Sequence, residues 1–175
     1  MKLKTTLALC LALIALLALV GCSKDGVPDG MKNVAPDTAM FYLYVPQAWV
    51  SQSESGIAGA VSPMAEGCNV NATTYLLDEY MDIPTYFAER CMPEYEATFT
   101  GFVLDETLSV KTTLGGVDAQ SYVFSATLGG NEYRFRQVIA ILDNVVYTLT
   151  YTAPVAHYDT YAEDVDQICA NFVFR

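Results

Sequence analysis

The chain has 175 residues, the length of one domain, and its 20 acidic and 9 basic side chains give a formal net charge of −11. Nucleic acid phosphates and anionic lipid headgroups repel such a chain, and its sequence contains no basic stripe, so no nucleic acid partner is predicted. If Lys2 and Lys4 are removed with the leader described next, seven basic residues remain and the net charge becomes −13.

The first 21 residues have the organisation of a lipoprotein signal peptide. Lys2 and Lys4 precede an unbroken apolar run from Leu7 to Val20, which is too short for a membrane-spanning helix and typical of a signal-peptide core. The run leads into Leu19-Val20-Gly21-Cys22, which resembles the bacterial lipobox, where a cysteine accepts diacylglyceryl as a thioether. We therefore predict a signal peptide over residues 1–21 and lipid attachment at Cys22. An ordinary signal peptide followed by an incidental cysteine is the alternative.

A lipid on Cys22 would hold the chain at the cell membrane, on its extracytoplasmic face. The lipobox pathway adds at least two acyl chains, and two chains anchor a protein stably. Residues 22–38 contain Gly and Pro without apolar periodicity, which predicts a flexible tether. Residues 39–175 are then predicted to form one domain, long enough to fold without metal or disulfide staples.

Three strands are predicted before the first helix. Aromatic, β-branched or alternating residues mark them at Phe41 to Val45, Gly56 to Val61 and Asn69 to Leu77. Pro46 should end the first strand.

The first helix is predicted from Pro84 to Phe99. Asp82 precedes it and suits a capping carboxylate, while Pro84 supplies the fixed φ of a first turn. Pro93 should kink or divide the helix because its ring removes one backbone donor, and Gly101 should end it.

Four strands joined by tight turns form the clearest pattern in the sequence. The strands are predicted at Val103–Thr113, Val117–Leu128, Asn131–Leu142 and Val145–Thr152, with turns at Gly115-Gly116, Gly129-Gly130 and Asp143-Asn144. Connections this short exclude parallel crossovers, so the strands should form an antiparallel meander. One parity of these strands is aromatic and apolar. The other is smaller and more polar, which predicts a partly covered face bearing Ser121, Ser125, Arg134, Arg136, Thr148 and Thr150.

A final helix is predicted from Val155 to Ala170. Its buried stripe should be Tyr158, Tyr161, Val165, Ile168 and Phe172, which recur at helical spacing. The predicted fold class is therefore α+β: a central antiparallel sheet of about six to seven strands, including the C-terminal four-strand meander, flanked by two main helices.

The chain from Ala39 to Phe174 resembles the PsbP/Mog1-like superfamily. The similar pieces are the strand from Phe41 to Pro46 followed by Trp49, the helix before a four-strand meander, and the closing strand and helix from Val146 to Phe172. The family usually has Ser-Phe where this chain has Asn171-Phe172. The resemblance implies an antiparallel sheet with helices packed against it.

The resemblance does not imply one activity. Plant and cyanobacterial members assist photosystem II and its calcium and manganese chemistry, others bind a small GTPase, and many bacterial lipoprotein members have no assigned role. No metal or partner residue of the family matches this chain position by position, so none is carried over.

Few side chains are of types or spacings that suggest catalysis or metal binding. Cys68, Cys91 and Cys169 lack the spacing of a zinc site and are interpreted as buried free thiols, with one disulfide as the alternative. His157, the only histidine, is interpreted as a surface residue at the start of the last helix. The carboxylates of Asp78, Glu79 and Asp82 suit calcium in type, but they lack a coordinating loop and are interpreted as a solvated segment that initiates the first helix.

The sequence thus favours a non-enzymatic binding or assembly module, without catalytic residues, metal ligands or a cofactor. Its partners would be the membrane, through the anchor, and another envelope protein or a small ligand. The alternatives are a metal-dependent hydrolase and a calcium-handling, photosystem-like protein. The 12 tyrosines are expected mostly in the core, and a cluster of exposed ones would mark a binding surface.

The lipobox generates the first prediction. Cys22→Ala should abolish metabolic labelling of the protein with a radioactive fatty acid, because the thioether cannot form without the thiol. Cys10→Ala is the matched control, since Cys10 lies inside the signal core and should be removed with it. Equal labelling of wild type and Cys22→Ala would disprove the anchor.

Overall fold

The structure is a computed structural model that describes residues 26–52 and 57–175; the predicted signal peptide and Cys22 lie outside the described residues. Its main element is a seven-stranded sheet in which every pairing is antiparallel. In spatial order the strands are β4 (Val50–Ser51), β5 (Ala58–Val61), β6 (Asn69–Leu76), β10 (Val145–Pro154), β9 (Asn131–Leu142), β8 (Val117–Leu128) and β7 (Thr100–Leu114). The predicted α+β class is confirmed.

The four-strand meander is confirmed together with its turns. All six turn residues have positive φ, from 52° at Asp143 to 87° at Gly130. Two consecutive residues with positive φ make a type I′ turn, whose twist matches that of the flanking strands. Glycine adopts this conformation without strain and Asn and Asp tolerate it, which explains the composition of the turns.

The predicted strand from Phe41 to Val45 is two strands, and neither joins the main sheet. Strand β2 (Phe41–Tyr42) pairs with β11 (Val173–Phe174), whereas β3 (Tyr44–Pro46) pairs with β1 (Met31–Asn33). The division falls at Leu43, whose backbone N–H donates to the Asn33 side chain at 3.1 Å. A side chain therefore replaces a strand partner at this residue, and the chain changes sheets there.

The folded domain begins before residue 39, so the predicted tether over 22–38 extends too far. Strand β1 belongs to the fold, and Met31, Val34 and Ala35 are buried in its main core. These apolar residues have no helical or strand periodicity, and they are ordered by the pairing of β1 with the distant β3 and by the Val34 N–H bond to the Leu43 carbonyl.

The first helix combines α1 (Ile83–Tyr86), a π-helical turn (Phe87–Cys91) and α2 (Met92–Thr98). Asp82 caps it as predicted, because its Oδ1 accepts the Thr85 backbone N–H at 2.8 Å. Pro93 is predicted to kink or divide the helix, and the π turn divides it just before Pro93, with the Met92 N–H bonded to the Phe87 carbonyl. The wider turn accommodates a residue that lacks an N–H and would crowd the preceding carbonyls.

Gly101 does not end the helix, contrary to the prediction. The helix ends at Thr98, and Gly101, with a φ of +66°, lies inside β7. The pairing of β7 with β8 shifts register between Thr100 and Val103, so the glycine serves a β-bulge.

The polar residues expected to share one partly covered face lie on both faces of the sheet, and a helix packs on each face. Cross-strand pairing places Thr148 opposite Ile139 on the side of the first helix, and Arg136 opposite Tyr151 on the other side. The polar residues grouped by parity are therefore divided between two faces. Strand β10 sends Tyr147, Leu149 and Tyr151 into the larger core, on the side of the C-terminal helix.

The C-terminal helix starts as a 3₁₀ segment (Val155–Tyr161) and continues as α3 (Ala162–Ala170). Four of the five predicted stripe residues, Tyr161, Val165, Ile168 and Phe172, are buried, and Tyr158 is half-buried. Trp49 packs against this helix: its ring lies 5.4 Å from that of Tyr161 in an edge-on arrangement, and its Nε1 donates to Asp164 at 3.0 Å.

Trp49→Ala should therefore destabilise the domain by about 3–5 kcal/mol, because it removes a large side chain that is only 2% exposed. Urea unfolding followed by circular dichroism measures the change. Asp164→Asn is the control: its amide oxygen still accepts from Trp49, so the loss should be much smaller. A Trp49→Ala protein as stable as the control would show that this contact does not hold the helix.

Candidate functional site

The acidic cluster proposed from sequence is a helix start. Asp78, Glu79 and Asp82 are exposed, and hydrogen bonds from Thr85 to the Asp82 carboxylate lower its pKa. Nowhere in residues 26–52 and 57–175 do three or more His, Cys, Asp or Glu side chains converge as metal ligands.

His157 and the three cysteines do not converge on one site. His157 is exposed and borders a recess with Glu66 and Glu132. Cys68, Cys91 and Cys169 are buried free thiols, as predicted. Burial raises the pKa of each thiol, to about 11 for Cys169, so all three are protonated at neutral pH, the less reactive form.

The candidate site is a groove between the first helix and the sheet. The helix lies closest to β7, β8 and β9, so the β6–β10 side of that face stays open. The space beside the helix is about 450 Å³, within the usual range of ligand pockets. We call it the helix–sheet groove; it is lined by Asn71, Thr73, Tyr75, Tyr86, Arg90, Cys91, Glu94, Tyr95, Gln137, Thr148 and Thr150.

The floor of the groove is a grid of uncharged polar side chains. Thr73 lies opposite Thr148 across the β6–β10 pair, and Asn71 lies opposite Thr150. Thr150 also lies opposite Gln137 on β9. Directly paired residues point to the same face of a sheet, so these five side chains all face the groove.

A chain of hydrogen bonds fixes part of this floor to the first helix. The Tyr95 hydroxyl donates to Gln137 Oε1 at 2.8 Å, and Gln137 Nε2 donates to Thr150 Oγ1 at 3.3 Å. The Cys91 thiol, within the π turn, also hydrogen-bonds to Tyr95. Gln137 is only 7% exposed, so its amide depends on these partners in place of water.

The rim of the groove is aromatic and carries one charge of each sign. The rings of Tyr75 and Tyr86 lie 6.5 Å apart at 37°, and Tyr75 is 54% exposed. Burial raises the pKa of Tyr86 to about 12, so its hydroxyl remains a donor at neutral pH. Arg90 and Glu94 are exposed on the helix above the floor.

Sequence reasoning did not assemble this groove. The sequence predicts a polar face bearing Thr148 and Thr150 and an alternating strand that contains Asn71 and Thr73, but their pairing across β6 and β10 requires the register. Arg90 and Glu94 carried no signal beyond an exposed helix position. The one available indication was that polar residues alternate on both strands.

Tyr95→Phe should lower the free energy of unfolding by about 1–3 kcal/mol, because it leaves the buried Gln137 oxygen without its donor. Thermal unfolding of the purified protein provides the measurement. Tyr80→Phe removes the same hydroxyl from a side chain that is 79% exposed and should change stability by less than about 0.5 kcal/mol. Equal effects of the two substitutions would contradict a role for the network in stability.

Among the described residues, no helix is long and apolar enough to cross a membrane. No protein-family model and no curated protein match the sequence.

Solved structures share the fold. A protein of unknown function from Pseudomonas aeruginosa aligns over 83% of this chain and 97% of its own, with 21% identity and a TM-score of 0.59. PsbP (CyanoP) of Synechocystis sp. PCC 6803 aligns over 90% and 99%, with 10% identity and a TM-score of 0.60. LpqN, involved in cell envelope biogenesis of Mycobacterium tuberculosis, aligns over 82% and 89%, with 17% identity and a TM-score of 0.55. At these identities the likeness concerns the fold, and the chain therefore has the PsbP-like α+β fold that its motifs predicted.

Proposed function

We propose that this chain is a lipoprotein, anchored through Cys22 on the extracytoplasmic face of the cell membrane, whose PsbP-like domain is a non-enzymatic binding module. The observation that carries the proposal is the helix–sheet groove, with its pre-oriented, uncharged floor and aromatic rim. A groove of this size favours a small ligand over another envelope protein.

The chemistry of the lining supports binding over catalysis. Nucleophilic catalysis needs an activated thiol or hydroxyl beside a base. The groove thiol, Cys91, has a raised pKa, and its hydrogen-bond partners are phenols. His157 borders a different recess. Glu94, the one carboxylate of the lining, is exposed.

The proposed location is supported by the leader and by one structural neighbour. The order of lysines, apolar run and lipobox is that of an exported lipoprotein. LpqN, which shares the fold, is involved in cell envelope biogenesis. An envelope location would also suit a strongly acidic domain that needs a covalent anchor to remain at an anionic membrane.

The test is titration calorimetry on the full-length protein, purified from membranes in mild detergent, with the small-molecule fraction of an envelope extract. A binding module should give heat that saturates as its sites fill. Thr148→Arg should abolish this heat, because a long cationic side chain would fill the groove. Thr113→Arg makes the same change on the edge strand β7, outside the groove, and should bind like the wild type.

Three outcomes would contradict the proposal. If heat is released until a component of the extract has been consumed, the protein turns that component over and is an enzyme. A stoichiometric heat with Ca²⁺ or Mn²⁺ alone that survives moderate salt favours the calcium-handling alternative, since loosely gathered cations are screened within about 8 Å at physiological ionic strength. Saturable heat that Thr148→Arg retains would place the binding site outside the groove.

A further inference from the structure

The groove floor suits a ligand that both donates and accepts hydrogen bonds at several points. Hydroxyl and carboxamide groups each do both, and four of them lie open on the neighbouring strands β6 and β10. The fifth, Gln137 on β9, is already bonded to Tyr95 and Thr150. Neighbouring strands are about 4.8 Å apart. This spacing is similar to that between equatorial hydroxyl groups on next-but-one carbons of a six-membered sugar ring.

The buried network leaves at least one hydroxyl donor of the floor free for a ligand. Thr150 Oγ1 accepts from Gln137, and within the described residues the Thr150 hydroxyl proton has no acceptor. Among the described residues, the hydroxyls of Thr148 and Thr73 likewise have no side-chain hydrogen-bond partner. The groove floor therefore combines a hydrogen-bonded Gln137–Thr150 pair with hydroxyls that have no partner in the described part of the chain. A polyhydroxylated ligand needs such free hydroxyls.

The rim offers an aromatic surface to the same ligand. The exposed ring of Tyr75 and the half-buried ring of Tyr86 stand together at one side of the floor. Tyrosine supplies a rigid apolar ring with a polar tip. The C–H face of a sugar ring is apolar while its edge carries hydroxyls, so it complements an aromatic wall standing beside a polar floor.

Arg90 and Glu94 leave the rim without net charge, but their two side chains do not form an ion pair with each other. The two ion pairs found among the described residues join Arg134 to Asp105 and Arg136 to Asp166, so neither Arg90 nor Glu94 takes part in one. A guanidinium donates two parallel hydrogen bonds, and a carboxylate accepts two, which suits adjacent hydroxyls of one ligand. A ligand with net charge would be attracted by one of the two and repelled by the other.

We propose that the helix–sheet groove binds a neutral pyranose sugar, with its hydroxyls on the Asn71–Thr73–Thr148–Thr150 floor and its C–H face against Tyr75. This assignment rests on the binding function proposed above and adds the ligand class. The same chemistry occurs in free sugars and in polysaccharides, so both are tested.

The experiment uses full-length protein in a detergent without a sugar headgroup. Glucose, galactose, mannose, N-acetylglucosamine, maltose and cellobiose are titrated individually, with changes in tyrosine fluorescence or heat as the readout. At least one sugar should bind with millimolar or tighter affinity. Glucuronate and glucosamine, which add one negative or one positive charge to the same ring, should bind more weakly than glucose. Retention on amylose or cellulose tests the polymeric source.

Two substitutions in the groove locate the site. Thr148→Val keeps the shape and removes one hydroxyl, and Tyr75→Ala removes the exposed ring; each should weaken sugar binding about tenfold. Thr113→Val and Tyr80→Ala make the same changes away from the groove floor and should bind like the wild type. Unchanged thermal unfolding of all four variants separates a loss of contact from a loss of fold.

The outcomes separate this inference from the binding function. If no sugar or polysaccharide binds while the envelope extract still gives saturable heat that Thr148→Arg abolishes, the sugar assignment is wrong and the binding module stands. Sugar binding that Thr148→Val and Tyr75→Ala leave unchanged would overturn the assignment of the site. Cleavage of a bound disaccharide would overturn the non-enzymatic function itself.

Discussion

The pairing of strand β10 in the middle of the sheet determines which side chains lie on each face of the domain. The strand pairs with β6 on one side and with β9 on the other, so two registers together fix which of its side chains point to each face. Tyr147, Leu149 and Tyr151 consequently enter the core on the side of the C-terminal helix, while Thr148 and Thr150 face the first helix. A slip of one residue would exchange the two sets, placing hydroxyls in the large core and tyrosines in the groove.

The groove follows from an incomplete covering of that face. The first helix shields Tyr122, Ile139 and Val146, which form a small second core with its Phe87 and Cys91. It does not reach across β6, so the polar residues there remain solvated and need no apolar partner. Gln137 lies at the boundary between the two regions, and its bonds to Tyr95 and Thr150 join the helix to the open floor.

Local signals predicted most elements, and long-range pairing caused the failures. The meander was predictable because two-residue turns restrict the topology, and Asp82 was predictable as a cap because the capping interaction spans three residues. The division at Leu43 depends on Asn33, ten residues away, and the order of residues 31–35 depends on β3. No local pattern carries that information. The groove was missed for the same reason, because Asn71 and Thr150 become neighbours only through the register of β6 with β10.

Because strand β1 already belongs to the fold, the segment between Cys22 and the domain is short. Eight residues lie between Cys22 and Met31, and the nine Cα–Cα steps of an extended chain between them span at most about 30 Å. This is roughly half the reach of a tether continuing to residue 38. The entry point is also acidic, because Asp29 borders a recess together with Glu163 and Asp164 of the C-terminal helix. If Cys22 carries the lipid proposed above, anionic headgroups would repel this acidic entry point, so the distance between domain and lipid surface would be short and would depend on salt.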